Sequence, residues 1–122
     1  VENDRLNASR ELCVSQQAVV VLKGGQTLIT TPEGQSYFNP TGNSGLAKGG
    51  SGDVLTGLVS GLLAQGIGGS SAARLGVFLH GLAADIALKK MSSRAMLPSD
   101  VIEALGLAFL RLENLEESSR RF

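Results

Sequence analysis

The 122-residue chain, 12.6 kDa by composition, is 43% hydrophobic, enough to fold around a packed core as one ordinary domain. Eleven Lys and Arg balance eleven Asp and Glu, which leaves no basic footprint for nucleic acid and no polybasic membrane anchor. Its single cysteine, Cys13, excludes an internal disulfide, and with no signal peptide and no uninterrupted apolar run near the roughly 18 residues of a membrane span, the expected location is cytoplasmic.

The chain opens on Val1 rather than methionine, in what reads as the start of a helix, so it reads as a fragment. Asn3 or Asp4 is placed to cap that helix, which runs to about Gln17 with Leu6, Ser9, Leu12 and Cys13 toward its inner side. "AVVVLK", residues 18–23, is a β-branched run without polar alternation, the pattern of a strand covered on both faces as in a parallel sheet between helices. After Gly24 and Gly25, "TLITT" and "SYFN" flank "PEGQ" and predict a hairpin with its turn near Glu33 and Gly34. No further strand is predicted.

From Ser51 the pattern turns helical, with Leu55, Leu58, Val59, Leu62 and Leu63 on one apolar face and Gly57 and Gly61 forming a small-residue ridge suited to close packing. Residues 72–88 are apolar nearly all round, interrupted mainly by Arg74, His80 and Asp85, and predict a central buried helix. A third helix starts near Pro98 and carries Val101, Ile102, Leu105, Phe109 and Leu112 on one stripe. "ENLEESSRRF" reads as a frayed polar tail, dividing the chain into a domain over 1–112 and a tail over 113–122.

So many glycines just ahead of a helix need an explanation, because each loses more backbone entropy on ordering than any other residue. In "AKGGSGD", with the helix beginning near Gly52, unpaired N–H groups and the positive end of the helix dipole converge on one small volume. Gly49, Gly50 and Gly52 carry no β-carbon, so a phosphate could approach the backbone closely. The competing reading is a turn that merely joins the hairpin to the helix. Asp53 divides in the same way: it is either a proton acceptor for a hydroxyl attacking phosphorus or a charge that stabilises a helix start.

Taken together, "VVVLKGGQT", "NPTGNSGLAKGGSGDVLTG", "LLAQG", "LGVFLHGLAAD" and "LPSDVIEAL" resemble the bacterial ADP-dependent NAD(P)H-hydrate dehydratases, over residues 18–110 and in order. The resemblance implies an α/β ribokinase-like fold, three-layer α/β/α, of which this chain would be the C-terminal portion: a strand, a hairpin and then three helices. It implies a hydro-lyase that uses ADP or ATP to turn the hydroxyl of hydrated NADH or NADPH into a leaving group, with Mg2+ compatible with the phosphates. Carried over, the nucleotide contacts fall on Lys23, Gly24, Gly25, Gln26, Thr27, Asn43, Gly49, Gly50 and Gly52, and Asp53 meets the hydrate as the catalytic residue. Turn formation accounts for Asn39, Thr41, Gly42 and Asn43 nearly as well, and Lys23 can be a solvated strand-end charge.

This sequence departs from the family pattern at Leu46, Lys48 and Gly25, where methionine, threonine and alanine are common; Lys48 would add a cation near the phosphate and so shift nucleotide preference. His80 reads as a core or interface residue; Asp85, Asp100 and Glu103 read as solvated or capping charges; no metal-ligand spacing appears. The chain is expected to associate with itself or with an upstream segment. Two rival functions remain at this level: a small-molecule hydroxyl kinase of the same superfamily, and a non-catalytic nucleotide-binding or oligomerisation module.

Overall fold

The computed structural model describes residues 2–120, with side chains over 4–119. Seven elements follow in order: α1 (Glu2–Gln16), β1 (Val20–Leu22), β2 (Leu28–Thr30), β3 (Ser36–Phe38), α2 (Ser51–Ala64), α3 (Gly69–Leu88) and α4 (Pro98–Arg120), with a 3-10 turn at Ser44–Leu46. They form two compact units. The first holds the residues up to Pro40 together with Leu58–Val77, and the second holds Thr41–Gly57 together with the residues from Phe78 onward.

In the first unit β2 is the central strand of three, paired antiparallel with β1 (Val21 opposite Ile29) and with β3 (Ile29 opposite Tyr37). The hairpin turns as expected: Gly34 takes a left-handed φ of 89° and its N–H donates to Thr31 O at 2.9 Å. Leu28 and Ile29 are fully buried, each contributing roughly 1.5–3 kcal/mol. The expectation for "AVVVLK" is corrected in two respects, since β1 is antiparallel to its neighbour and all three of its residues are only half-buried. Branched side chains make a strand, but its partner's direction and its second cover are set by distant segments.

Helix α1 packs on β1 and β2 through a polar seam. Ser9 Oγ donates to Thr30 Oγ1 at 2.8 Å and Cys13 Sγ donates to Thr30 O at 3.2 Å, both buried. Cys13 is therefore a core residue, as its helical setting suggests, whereas Leu12 is 48% exposed against expectation. Glu2 is already helical, so the start is earlier than a cap at Asn3 or Asp4 allows, and Asn3's side chain lies outside those described. The helix ends where Gln17 turns left-handed (φ 51°) and Ala18 N–H reaches Cys13 O. In the same unit α2 and α3 touch at Val59 and Gly76, where a β-carbon on Gly76 would lie 2.5 Å from Val59 Cγ2. The expected ridge at Gly57 and Gly61 meets nothing within 4 Å among the described residues.

In the second unit Leu79, Ala83, Ala84, Ile86 and Ala87 of α3 are buried, as are Met96 and the Val101, Ala104 and Ala108 face of α4. By length and hydropathy α3 would suit a bilayer, but 61% of its apolar window is buried inside the protein, as the sequence predicts for a central helix. The stripe on α4 is rotated from the expected one: Ile102 is exposed while small Ala104 and Ala108 are buried. Residues 113–119 are helical and exposed rather than frayed, because α4 continues to Arg120.

Candidate functional site

The glycine loop belongs to the second unit, with Asn43, Gly49, Gly50, Gly52 and Asp53. It enters α2 through Gly50, whose φ of 96° only glycine adopts without strain. Ser51 N–H then donates to Lys48 O and Val54 N–H to Gly50 O, each at 3.2 Å. Between them the N–H groups of Gly52 and Asp53 donate to no backbone carbonyl among the described residues, and they open the first turn of a 14-residue helix. Two unpaired donors and the positive helix end therefore coincide, which is the physical requirement for holding an anion.

Asp53 lies in that first turn and is exposed. Its carboxylate accepts no hydrogen bond among the described residues, so it caps no amide of its own helix. A side chain on Gly49 would meet nothing within 4 Å, so packing inside the chain does not demand glycine there. Room, donors and an ionisable acceptor stand together, which suits phosphoryl chemistry on a hydroxyl.

The rest of the loop is braced on the helices of its own unit. Gly42 N–H donates to Asp85 Oδ2 at 3.0 Å and Asn43 Nδ2 donates to Asp85 Oδ1 at 2.9 Å, while Asn43 Oδ1 accepts Gly45 N–H at 2.9 Å. Asn43 is thus occupied at both ends by loop architecture, in line with the turn-forming alternative. Asp85 is corrected from a solvated or capping charge to a tie between α3 and the loop. At the other end Lys48 Nζ donates to the carbonyls of Arg94 and Met96, so its ammonium is engaged with the segment before α4. Asp100 is a capping charge as expected, with Oδ2 accepting Leu97 N–H at 2.8 Å. His80 is buried, at 4% exposure.

Residues 23–27 belong to the first unit, where Lys23, Gly24, Gly25 and Gln26 are exposed and Thr27 is half-buried between β1 and β2. One side chain that sequence reasoning missed organises them. Arg5 on α1 donates through Nη2 to Leu22 O at 3.3 Å and to Gln26 O at 3.0 Å, bracketing the loop. Gly24 lies against that guanidinium, 2.8 Å from Nη2 at the position of a β-carbon, whereas Gly25 faces open space. Nothing within α1 marks Arg5 out, because its partners are carbonyls 17 and 21 residues away. Among the described residues no group of three or more His, Cys, Asp or Glu is placed to hold a metal.

A family model described as NAD(P)H-hydrate dehydratase matches residues 1–106, most of the chain. The chain belongs to the NAD(P)H-hydrate dehydratase family. The bifunctional NAD(P)H-hydrate repair enzyme of Moorella thermoacetica is 46% identical to it over 117 residues, covering 96% of this chain and 22% of that enzyme. The ADP-dependent (S)-NAD(P)H-hydrate dehydratase of Bacillus subtilis is 36% identical over 113 residues, covering 93% of this chain and 41% of that enzyme. A crystal structure of the ADP/ATP-dependent NAD(P)H-hydrate dehydratase from Bacillus subtilis, co-crystallised with ATP/Mg2+, matches with a TM-score of 0.84 at 36% identity, over 90% of this chain and 40% of that one. The α/β class expected from the family resemblance therefore holds, and the chain spans well under half the length of these family members.

Proposed function

We propose that the chain is the nucleotide-handling part of an enzyme that restores hydrated NADH or NADPH to the parent coenzyme, with ADP as phosphoryl donor. The observation that carries this reading is the start of α2: two unpaired amides at Gly52 and Asp53, open space at Gly49 and the uncommitted Asp53 carboxylate. The amides of Gly49, Gly50 and Gly52 bind the transferable phosphate, and Asp53 accepts the proton of the hydrate hydroxyl as it attacks phosphorus. Transfer of the terminal phosphoryl group leaves AMP, and elimination of the resulting phosphoester releases inorganic phosphate and the reduced coenzyme. The names of the family members above, which include ADP-dependent and ADP/ATP-dependent dehydratases, support both donor and substrate.

On this reading Lys23, Gly24, Gly25, Gln26 and Thr27 also contact the nucleotide, through a loop that Arg5 holds in shape. A magnesium ion would arrive with the nucleotide, held by phosphate oxygens and water. The enzyme works in the cytoplasm, where its substrate coenzymes are used. The test is to supply the full-length protein with hydrated NADH and ADP and follow the reduced coenzyme, AMP and phosphate together. Equal yields of all three are expected. A stable phosphorylated product without reduced coenzyme would identify a hydroxyl kinase instead, and nucleotide binding with no turnover would identify a non-catalytic module.

A further inference from the structure

We infer that Asp85, on α3, is a positioning residue for the phosphate-binding loop. The inference rests on the reading that residues 49–53 receive the phosphate of ADP. Phe78, Gly81 and Asp85 recur at three- and four-residue spacing, so they share one face of α3. The start of the loop is laid along that face. Thr41 Oγ1 donates to Phe78 O at 2.9 Å. At Gly81 the backbone approaches so closely that a β-carbon would lie 2.6 Å from Thr41 C and 2.8 Å from Gly42 N, so no side chain fits. Asp85 completes the track by taking one donor on each carboxylate oxygen, Gly42 N–H and Asn43 Nδ2.

From there the order is passed along the chain. Asn43, fixed by Asp85, caps the 3-10 turn at Ser44–Leu46 through Gly45 N–H. The turn leads to Lys48 and to the glycines at 49, 50 and 52. Beyond the Lys48 tether, the glycines bring no side chains to pack: a β-carbon at Gly49 would meet nothing within 4 Å, and one at Gly50 only Pro98, among the described residues. An unanchored loop of this composition would lose conformational entropy when it closes on an anion, and preorganisation removes that loss from binding. Asp85 is the only carboxylate seen to hold the loop among the described residues. Its double acceptance is what an amide cannot reproduce, since asparagine offers one oxygen where two donors need one each.

The test uses the full-length protein, with ADP affinity measured by calorimetric titration and turnover of hydrated NADH measured at saturating ADP. Asp85→Asn should weaken ADP binding about tenfold while kcat at saturation stays within about twofold, because the bound phosphate then orders the loop itself. Asn43→Ala should weaken ADP binding in the same direction. The double variant should lose less than the sum of the two, as residues acting in one chain of bonds do. A residue that only supports folding would lower the thermal midpoint and leave ADP affinity of the folded protein alone. Wild-type ADP affinity in both Asp85→Asn and Asn43→Ala overturns the inference while leaving the proposed function standing. If Asp85→Asn does not fold, wild-type affinity in Asn43→Ala suffices to overturn it. Absence of ADP binding by the wild type overturns the functional reading beneath it.

Discussion

At the scale of single residues, the difference between a charge that works and a charge that holds structure is whether the protein has already used its hydrogen-bonding capacity. Asp53 accepts no hydrogen bond among the described residues and stands beside unpaired amides. Asp53→Asn should therefore reduce turnover of hydrated coenzyme at least 100-fold, the lower range for losing a general base, while ADP affinity changes less than about threefold. A normal rate in a coupled turnover assay would leave Asp53 as a helix-start charge. Lys48 is the contrasting case. Its two carbonyl acceptors at Arg94 and Met96 make it a tether, so Lys48→Thr should cost about 1–2 kcal/mol in a melting experiment and leave the ratio of ADP to ATP affinities unchanged. A changed ratio in paired titrations would restore the nucleotide-selecting role suggested by its place in the sequence. The glycine turn into α2 and the place of Asp53 in its first turn are legible because they depend on a few consecutive residues. Lys48 and Asp85 are not, since their partners lie more than 40 residues away and are backbone groups or an amide that no spacing rule points to.

At the scale of elements, hydrophobic period located the hairpin, α2, α3 and α4, because each buries enough apolar surface to write its face into the sequence. The same signal misplaced finer detail. Ile102 looks like a core residue by spacing, yet the buried face of α4 runs through Val101, Ala104 and Ala108, where small side chains permit close approach. The four-residue spacing of Gly57 and Gly61 predicts a ridge for close packing, yet neither meets a neighbour within 4 Å among the described residues, and the close approach between α2 and α3 is at Gly76. Two substitutions separate these positions. Gly76→Ala gains helix propensity of about 1 kcal/mol but places a β-carbon 2.5 Å from Val59 Cγ2 and 3.6 Å from Val59 Cα, so a net loss of about 1–3 kcal/mol is expected. Gly61→Ala meets nothing within 4 Å and should be neutral or stabilising by up to about 1 kcal/mol. Urea denaturation of the 122-residue chain and both variants decides the matter, and equal midpoints for Gly76→Ala and wild type would show that α2 can move away without loss.

At the scale of the whole molecule, the decisive quantity is how much apolar surface and strand edge the chain leaves to be covered. Leu12, Val14, Phe38, Leu63, Leu97, Ile102, Leu107, Leu110 and Leu115 are all more than 40% exposed, distributed over α1, β3, α2, the residue before α4 and α4 itself. Strand β1 is half-buried along its length and pairs with β2 alone among the described residues, although its branched run has the composition of a strand covered on both faces. Scattered leucines are ordinary on a protein surface, but an open strand edge and apolar helix faces each favour association. The family members it matches are also longer, this chain covering 22% of one and 41% of another. Residues 1–122, expressed alone, should therefore fail to dehydrate hydrated NADH, even where ADP still binds weakly at the start of α2. They should also run in light scattering as species larger than the 12.6 kDa monomer, with the larger species growing as concentration rises. Turnover by a monodisperse 12.6 kDa monomer, at a rate comparable with that of the full-length protein, would mean that the apolar faces need no partner and that the coenzyme is bound entirely by residues of this chain.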